Sequence, residues 1–314
     1  MGKSIRELWI VGTMAAALLA PHQGAAAPRM ISVAAGPDVF REKLAAGHRF
    51  IVDARSGNAL GGEPIILAAT RSGALDAAVL TGGVVSAVVP ELSVFDIPFL
   101  FRDEAHAKAV MQGPIGAQIA AKFADKGLVL LALGKQGFRH LTNSKRPIRT
   151  PADIKGLTIR VIPNETYKMA FQALGANVIP MDFPLVYGAL KDGRLDGEEN
   201  PLTTISTSRF FEVQKYLTMS GHFFAPVAFV ANRAMFEQLE PADQEALIAA
   251  AKAGAEATWQ AQVEDTKLQE LRTAGMEVVD KIDRQAFVDA VKPLDPEFEK
   301  RFGKELIAAI RSTR

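Results

Sequence analysis

Arg160 is the residue whose surroundings most strongly indicate binding chemistry. It stands in the middle of a short apolar segment, Leu157 to Ile162, which has the composition of a buried parallel strand. A guanidinium there is costly unless it faces a cleft or has an anionic partner, and its planar fork matches a carboxylate. The segment therefore indicates either a pocket for a small carboxylated molecule or an internal ion pair, for example with Asp196. Spacing alone favours neither.

Four further candidates each have a plainer explanation when taken singly. Arg139 would be a surface arginine in a hinge loop, and Phe183 would be an ordinary core ring. Asn200 precedes Pro201 and is typical of a turn start, although its amide can also donate to and accept from a ligand. Glu63 is either an acid favoured by a helix N-terminus or a group in a cleft.

Catalytic motifs are missing from the sequence. There is no cysteine, none of the five histidines stands in a His-Glu-x-x-His pattern, and neither a Gly-x-Ser-x-Gly elbow nor a phosphate-binding loop occurs. Glu198 and Glu199 are adjacent, so on an extended strand they point in opposite directions and cannot act as an acid–base pair. These observations predict a protein that is not an enzyme and that uses no cofactor and no metal.

Composition narrows the class of partner. The chain has 314 residues, a formal net charge of +1 and 48% hydrophobic residues, which is typical of a globular protein with one large or two medium domains. There is no basic patch with interleaved aromatic residues, so neither nucleic acid nor an anionic membrane is predicted as a partner.

The N-terminal segment has the features of a cleavable signal peptide. Lys3 and Arg6 precede an apolar stretch, 8–20, that is too short to span a membrane, and the small residues at 25–27 suit a signal peptidase. We expect residues 1–27 to be removed. Without a cysteine no lipid anchor can be attached to the new N-terminus, so the sequence predicts a protein that diffuses freely in the periplasm.

The predicted strands and helices alternate along the chain, which indicates an α/β architecture. Strands are predicted at 31–35, 49–54, 75–80, 128–133, 157–162, 177–181, 227–231 and 276–279. Helical patterns cover 37–46, 63–71, 103–126 with an interruption at 113–114, 210–217, and one long stretch from Pro241 to about Thr273, and two helices end the chain. A short repeated motif, GALD at 73–76 and GRLD at 193–196, suggests two lobes of similar construction with a binding cleft between them.

Several segments, in order and at family spacing, together resemble a known family. They are LGGE (60–63), VFDIPFL (94–100), GFRHLTNS (137–144), KGLTIRV (155–161), ALGAN (173–177), PMDF (180–183), DGEENP (196–201) and FEVQKYL (211–217). In this combination the chain resembles the DctP family, the periplasmic solute receptors of TRAP transporters.

The resemblance implies a fold and a set of site residues. The fold would be α/β and two-lobed, of the type II-like periplasmic-binding-protein kind, with a ligand cleft between the lobes and a long helix spanning both. Lobe I would comprise 28–137 and 226–265, and lobe II 138–225 and 266–314. The second lobe would contribute the salt-bridging Arg160, the second arginine Arg139, the aromatic Phe183 and the polar Asn200, and the first lobe Glu63 and Thr81.

The implied function is that of a monomeric receptor. It would bind a C4-dicarboxylate or a sugar acid, close around it, and deliver it to a permease made of a small and a large membrane subunit. A sensing subunit for a receptor kinase and, behind it, an exported enzyme on the same fold stay as alternatives.

Two departures from the family pattern bear on the first lobe and the cleft. The chain is shorter than the pattern between residues 31 and 60 by about a dozen residues, some three helical turns. Leu185 stands where the family usually has a glutamate. A first lobe that no longer closes normally is therefore a further possibility.

Overall fold

The computed structural model describes residues 28–34, 36–55 and 60–314. The predicted signal peptide, 1–27, lies outside the described residues. In the described part, nine strands form one mixed sheet in the order β2-β1-β3-β8-β4-β7-β5-β6, and β9 pairs with β8. The strands are β1 (Arg29–Ala34), β2 (Phe50–Arg55), β3 (Ala77–Thr81), β4 (Leu128–Asn143), β5 (Thr158–Val161), β6 (Asn177–Pro180), β7 (Gly197–Pro201), β8 (Tyr216–Asn232) and β9 (Glu277–Val279).

Helices cover the sheet and connect its strands. They are α1 (Asp38–Ala46), α2 (Glu63–Ser72), α3 (Gly82–Val85), α4 (Glu104–Gln112), α5 (Pro114–Ala120), α6 (Glu165–Ala173), α7 (Val186–Lys191), α8 (Leu202–Thr207), α9 (Arg233–Glu237), α10 (Pro241–Gln260), α11 (Glu264–Thr273), α12 (Arg284–Val291), α13 (Asp295–Phe302) and α14 (Lys304–Ser312). Short 3-10 turns lie at Pro90–Asp96, Ala124–Lys126, Pro151–Asp153, Phe183–Leu185, Phe210–Glu212 and Lys292–Leu294. None of the described helices is both long and apolar enough to cross a bilayer.

Two long antiparallel strands join the two lobes of the fold. β4 and β8 pair from Leu128 with Asn232 to Asn143 with Tyr216. Strands β2, β1 and β3 extend the sheet on the side of the C-terminal part of β8 and form the first lobe. Strands β7, β5 and β6 extend it from the C-terminal part of β4 and form the second lobe.

The lengths of β4 and β8 correct the sequence prediction. The apolar pattern predicts only 128–133 and 227–231 as strands and leaves Arg139 in a loop, whereas Arg139 lies inside β4 and is buried. The pattern fails because β4 carries polar residues where it crosses between the lobes, and its pairing with β8 shifts register between Lys135 and Gly137 and again between Arg139 and Leu141. Tertiary pairing here overrides local propensity.

The predicted single helix from Pro241 to Thr273 is divided in two. α10 packs on α1 and β4 in the first lobe, and α11 packs on α8 in the second, so the connection between the lobes is made by two helices in succession. The break, at 261–263, coincides with the irregular part of β4. There the hydroxyl of Thr258 accepts the Lys135 N–H at 2.9 Å, and the Glu264 carboxylate accepts from the Phe138 N–H. Side chains on either side of the break thus bond to backbone groups in the irregular part of β4.

Two other predicted elements differ from the structure. Residues 210–217, predicted as helical, form a 3-10 turn followed by the start of β8, and three helices rather than two end the chain. α12 packs in the second lobe through Phe287, whereas the last two helices bury Phe298, Ile307 and Ile310 against the first-lobe cluster. The lobe boundaries drawn from the sequence stay a prediction.

Helix α1, in the segment predicted to be shortened, is packed against the rest of the first lobe. α1 buries Phe40 and Leu44, and the ring of Phe40 meets Phe229 of β8 edge to face, with centroids 5.4 Å apart. Gly254 of α10 permits this approach, because a β-carbon there would come within 2.8 Å of the Phe40 side chain. The short helix therefore still closes one side of the first-lobe core.

Candidate functional site

A cavity of about 520 Å³ lies between the two lobes, and all six predicted binding residues line it. Thr81 ends β3 and Glu63 begins α2 in the first lobe, while Arg160 lies on β5 in the second. The remaining three are Arg139 on β4, Asn200 on β7 and Phe183 on the turn after β6. The cavity is thus placed at the carboxyl ends of strands, where open α/β sheets bind ligands.

Arg160 is buried and has no ion-pair partner among the described residues. Its Nε and Nη2 atoms both donate to the carbonyl oxygen of Met181, at 2.9 and 2.7 Å, and its third nitrogen, Nη1, has no hydrogen-bond acceptor there. Burial lowers the pKa of this guanidinium to about 10, so it is charged at neutral pH. The internal bridge to Asp196 does not form, because that carboxylate accepts the Thr158 N–H and pairs with Lys145.

Arg139 is paired inside the protein. Its Nε and Nη2 atoms bond to the two carboxylate oxygens of Glu199, at 2.5 and 2.9 Å, and both side chains are buried. His222 contacts the same carboxylate at 3.3 Å. Burial acts to raise the pKa of Glu199, but Arg139 and the hydrogen bond from His222 together outweigh burial, so the pKa is lowered. Burial acts to lower the pKa of Arg139, but the charge of Glu199 and its other neighbours raise it. The charge of Arg139 is therefore largely balanced before any ligand enters.

Asn200 is held from both sides of its amide. Its Oδ1 accepts from Nη2 of Arg139 at 3.1 Å, and its Nδ2 donates to Glu198 at 2.5 Å. Glu198 is buried beneath the cavity surface and also accepts from the Thr142 hydroxyl at 2.8 Å. Burial raises the pKa of Glu198 to about 7, against these two hydrogen bonds, which lower it.

The first-lobe wall is a small polar network. Glu63 accepts the Thr81 N–H at 3.2 Å and its hydroxyl at 3.1 Å, and Gln136 donates to the same hydroxyl at 3.2 Å. Burial raises the pKa of Glu63, and the bonds from Thr81 act against it. This wall presents carboxylate, hydroxyl and amide groups, which suits a ligand with both donors and acceptors.

The rim of the cavity brings the two lobes together. Phe183 is 37% exposed and lies over Arg160, with the guanidinium carbon 5.8 Å from the ring centroid. Gly62 of the first lobe lies so close to Pro184 that an added β-carbon would contact it at 3.5 Å. Leu185, next to Pro184, is 61% exposed. Gly62 and Pro184 thus bring the two lobes close together at this side of the cavity.

Five polar lining residues were not predicted from the sequence. They are Gln136, Asp182, Thr204, Thr207 and Ser208. The last three have the 0, +3, +4 spacing of one helical face, at α8 and the residue that follows it, directly after the predicted Asn200–Pro201 segment. That hydroxyl-rich helical pattern, LTTISTS, was the available signal.

A second polar network joins the lobes behind the cavity. Asn164 caps α6 with its side-chain oxygen, and its amide nitrogen donates to Asp96 at 2.8 Å and to Ser86 at 2.7 Å in the first lobe. Ser93 donates to the same Asp96 oxygen at 2.9 Å, while the other oxygen has no partner among the described residues. Burial raises the pKa of Asp96 to about 7, and bonds from Ser93 and Asn164 only partly oppose it.

This raised pKa predicts a pH-dependent stability. The folded state holds the Asp96 proton up to about pH 7, whereas the unfolded chain releases it near pH 4. Protonated Asp96 therefore contributes fully to the free energy of unfolding below about pH 4. This contribution, on the order of 4 kcal/mol at most, is lost as pH rises towards about 7. Denaturant unfolding between about pH 5 and pH 8 should show a flatter profile for Asp96→Asn than for the wild type. Parallel profiles would contradict the assignment.

No group of metal-binding character accompanies these networks. Among residues 28–34, 36–55 and 60–314, no cluster of three or more His, Asp or Glu side chains could hold a metal ion. What the geometry defines is a cavity between two α/β lobes, with a buried, charged arginine at one wall. That is the arrangement of a two-lobed solute-binding protein.

Comparison with known proteins identifies the family. Residues 38–301 match the DctP family, described as bacterial extracellular solute-binding protein, family 7, and the chain belongs to this family of extracytoplasmic solute-binding proteins. It is 41% identical over 271 residues to a solute-binding protein of Verminephrobacter eiseniae, covering 85% of this chain and 81% of the relative. It is 36% identical to the 2,3-diketo-L-gulonate-binding periplasmic protein of Escherichia coli, covering 74% and 71%.

Solved structures agree with this assignment. A TRAP periplasmic solute-binding protein from Polaromonas sp. JS666, crystallised with D-erythronate, superposes with a TM-score of 0.86 at 34% identity, covering 91% of this chain and 99% of the other. The two-lobed α/β fold predicted from the sequence is thereby confirmed, as is the family. The protein is a solute-binding protein of the TRAP type.

Proposed function

We propose that this protein is a periplasmic receptor that binds a small organic acid by a salt bridge between Arg160 and the ligand carboxylate. One observation carries the proposal: a buried guanidinium lines the cavity with one nitrogen, Nη1, that has no acceptor among the described residues. A carboxylate oxygen placed there would complete the hydrogen bonding of Arg160 and balance its charge. Arg139 supports the same carboxylate as a second donor, and Phe183 covers it.

The charge of the cavity favours a hydroxylated acid over a C4-dicarboxylate. Arg139 is balanced by Glu199, so only Arg160 has a positive charge without a protein carboxylate at hydrogen-bond distance. Glu63 and Asp182 lie in the lining, and each can accept from a ligand hydroxyl but would repel a second carboxylate. Thr204, Thr207 and Ser208 add hydroxyls. The relatives whose names or structures specify 2,3-diketo-L-gulonate and D-erythronate fit the same chemistry.

The mechanism is binding followed by closure. The ligand contacts Arg160, Asn200 and Phe183 from the second lobe and Glu63 and Thr81 from the first, so it stabilises the closed arrangement of the lobes. The hinge consists of β4 and β8, the strands that join the lobes. The closed, monomeric receptor then delivers the acid to the small and large membrane subunits of a TRAP permease.

A thermal-shift panel tests the proposal. Purified protein would be heated with aldonates, hexuronates, oxo acids and C4-dicarboxylates, each at several concentrations. A hydroxylated monocarboxylate should raise the melting temperature most, because ligand at about 100 times its Kd adds about 2.7 kcal/mol to the unfolding free energy. Neutral sugars of the same size serve as controls. A stronger response to neutral sugars, or none to any acid, would contradict the salt bridge; a stronger response to dicarboxylates would contradict the preference for hydroxyls.

A further inference from the structure

Glu198 is a fully buried carboxyl directly behind the ligand cavity. It is on β7, where it is the register partner of Arg160 on the parallel strand β5, and it does not itself line the cavity. Its two oxygens are engaged by the Thr142 hydroxyl, at 2.8 Å, and by the Asn200 amide, at 2.5 Å. Glu198 thus contacts Asn200 and lies beside Arg160, and both of these residues line the cavity.

The hydrogen bond between Glu198 and Asn200 helps to fix the orientation of the Asn200 amide group. An arginine N–H must meet the amide oxygen, and a carboxylate must meet the amide nitrogen, so Arg139 and Glu198 together allow only one orientation of the group. In that orientation one N–H of Asn200 is bonded to Glu198. The other N–H is available to a ligand oxygen in the cavity that Asn200 lines.

The charges around Glu198 leave it dependent on Arg160. The charge of Arg139 on β4 is balanced by Glu199. His140 on β4 and His222 on β8 are neutral, because burial lowers their pKa values. The charged groups that act on Glu198 are Arg160 of β5, Arg139 of β4 and Glu199 of β7. A ligand carboxylate and the Glu198 carboxylate would therefore both depend on the one positive charge of Arg160.

We propose that Glu198 is a positioning residue of the ligand site, which orients the Asn200 amide towards the ligand and takes up a proton when an anionic ligand binds. The proposal rests on the organic-acid function proposed above. It assigns to Glu198 a role that acts through Asn200 and Arg160 without contact with the ligand.

The sign of the coupling follows from electrostatics. Burial already raises the pKa of Glu198 to about 7, and a ligand carboxylate bound at Arg160 raises it further, because like charges close together disfavour ionisation. Ligand binding near neutral pH is then accompanied by proton uptake. Affinity should be constant below about pH 6 and should weaken as pH rises through 7 to 8.5, about tenfold if the ligand shifts the pKa by about one unit.

Calorimetry on three proteins tests this coupling. Wild type, Glu198→Gln and the control Asp96→Asn would be titrated with the acid that gives the largest thermal shift, at about pH 6 and pH 8.5. The wild type and Asp96→Asn should lose about tenfold in affinity at the higher pH, and Glu198→Gln should lose none. At about pH 7.5, titrations in buffers of different ionisation enthalpy should report about half a proton taken up by the wild type and none by Glu198→Gln.

Glu198→Ala separates orientation from charge. Glutamine keeps a carbonyl oxygen that can accept the Asn200 N–H, so Glu198→Gln should bind at pH 6 as the wild type does, whereas Glu198→Ala should bind more weakly at both pH values. Melting temperatures without ligand show whether each variant is folded. Because Glu198→Gln preserves the packing, it answers the question even if the alanine variant is unstable.

The outcomes distinguish the two proposals. Acid binding that is equally pH-dependent in the wild type and in Glu198→Gln, or that involves no proton uptake, would overturn the role of Glu198 and leave the receptor function intact. Loss of the pH dependence in Asp96→Asn instead would assign the proton to the network behind the cavity and overturn the inference. Failure of the wild type to bind any acid would overturn the receptor function and this inference with it.

Discussion

Arg160→Ala is expected to weaken binding of the cognate acid by roughly thirtyfold to several-thousandfold. The variant removes a buried charge whose proposed partner is the ligand carboxylate, and breaking such a pair costs about 2–5 kcal/mol. Calorimetry with the acid selected by the thermal-shift panel measures the loss directly. Unchanged affinity would refute the salt bridge between Arg160 and the carboxylate.

The same variant should remain folded. Arg160 has no ion pair within the described residues, and its hydrogen bonds all go to one backbone carbonyl, that of Met181. Its removal also relieves the protein of a buried charge that burial disfavours. Arg160→Lys is the matched control: it keeps a positive charge but lacks the planar fork, so we expect an affinity between those of wild type and alanine. Equal affinity of the lysine variant and the wild type would show that the planar guanidinium group is not needed for ligand binding.

Glu199→Gln is expected to have the largest effect on stability. It leaves the guanidinium of Arg139 buried without a carboxylate, and removal of one partner of a buried ion pair costs about 3–5 kcal/mol. In a protein of this size the melting temperature should fall by on the order of 10 °C. Calorimetry without ligand measures the change, and a decrease of about 1 °C or less would mean that the pair contributes little.

A double-mutant cycle isolates the pair from its surroundings. Arg139→Gln should also destabilise the protein, because it leaves the buried Glu199 carboxylate with His222 as its one remaining side-chain partner among the described residues. The double variant, Arg139→Gln with Glu199→Gln, has no buried charge at this position and should be more stable than the sum of the single losses predicts. Additive losses would show that the two side chains act independently.

The sequence was most informative at the carboxylate-anchoring side of the cavity. Arg160 could be found from an apolar strand with one guanidinium, a combination that has few explanations. Asn200, Phe183, Glu63, Thr81 and Arg139 were identified by the family resemblance, and all of them line the cavity. Their roles in binding remain predictions, and the experiments above address the most important of them.

Other features depend on tertiary contacts that local patterns do not contain. The partner of Arg139 is Glu199, sixty residues away in sequence, and no local spacing indicates that the two meet. The helix break at 261–263 contains neither glycine nor proline, so no local residue pattern indicates it. The full length of β4 could not be predicted from the apolar pattern, because its polar residues lie at the cavity and where the strand crosses between the lobes.

The position of β8 in the sheet has a consequence for how the chain acquires its structure. In the first lobe β8 lies between β3 and β4, so these two strands of the N-terminal half cannot be joined until residues near 227–232 are present. Pairings this distant in sequence make folding slow, because the chain must close a long loop before the contacts form. Synthesis from the N-terminus therefore produces no completed first lobe until more than two thirds of the chain exists. A chain whose first lobe is completed so late remains incompletely folded for most of its synthesis.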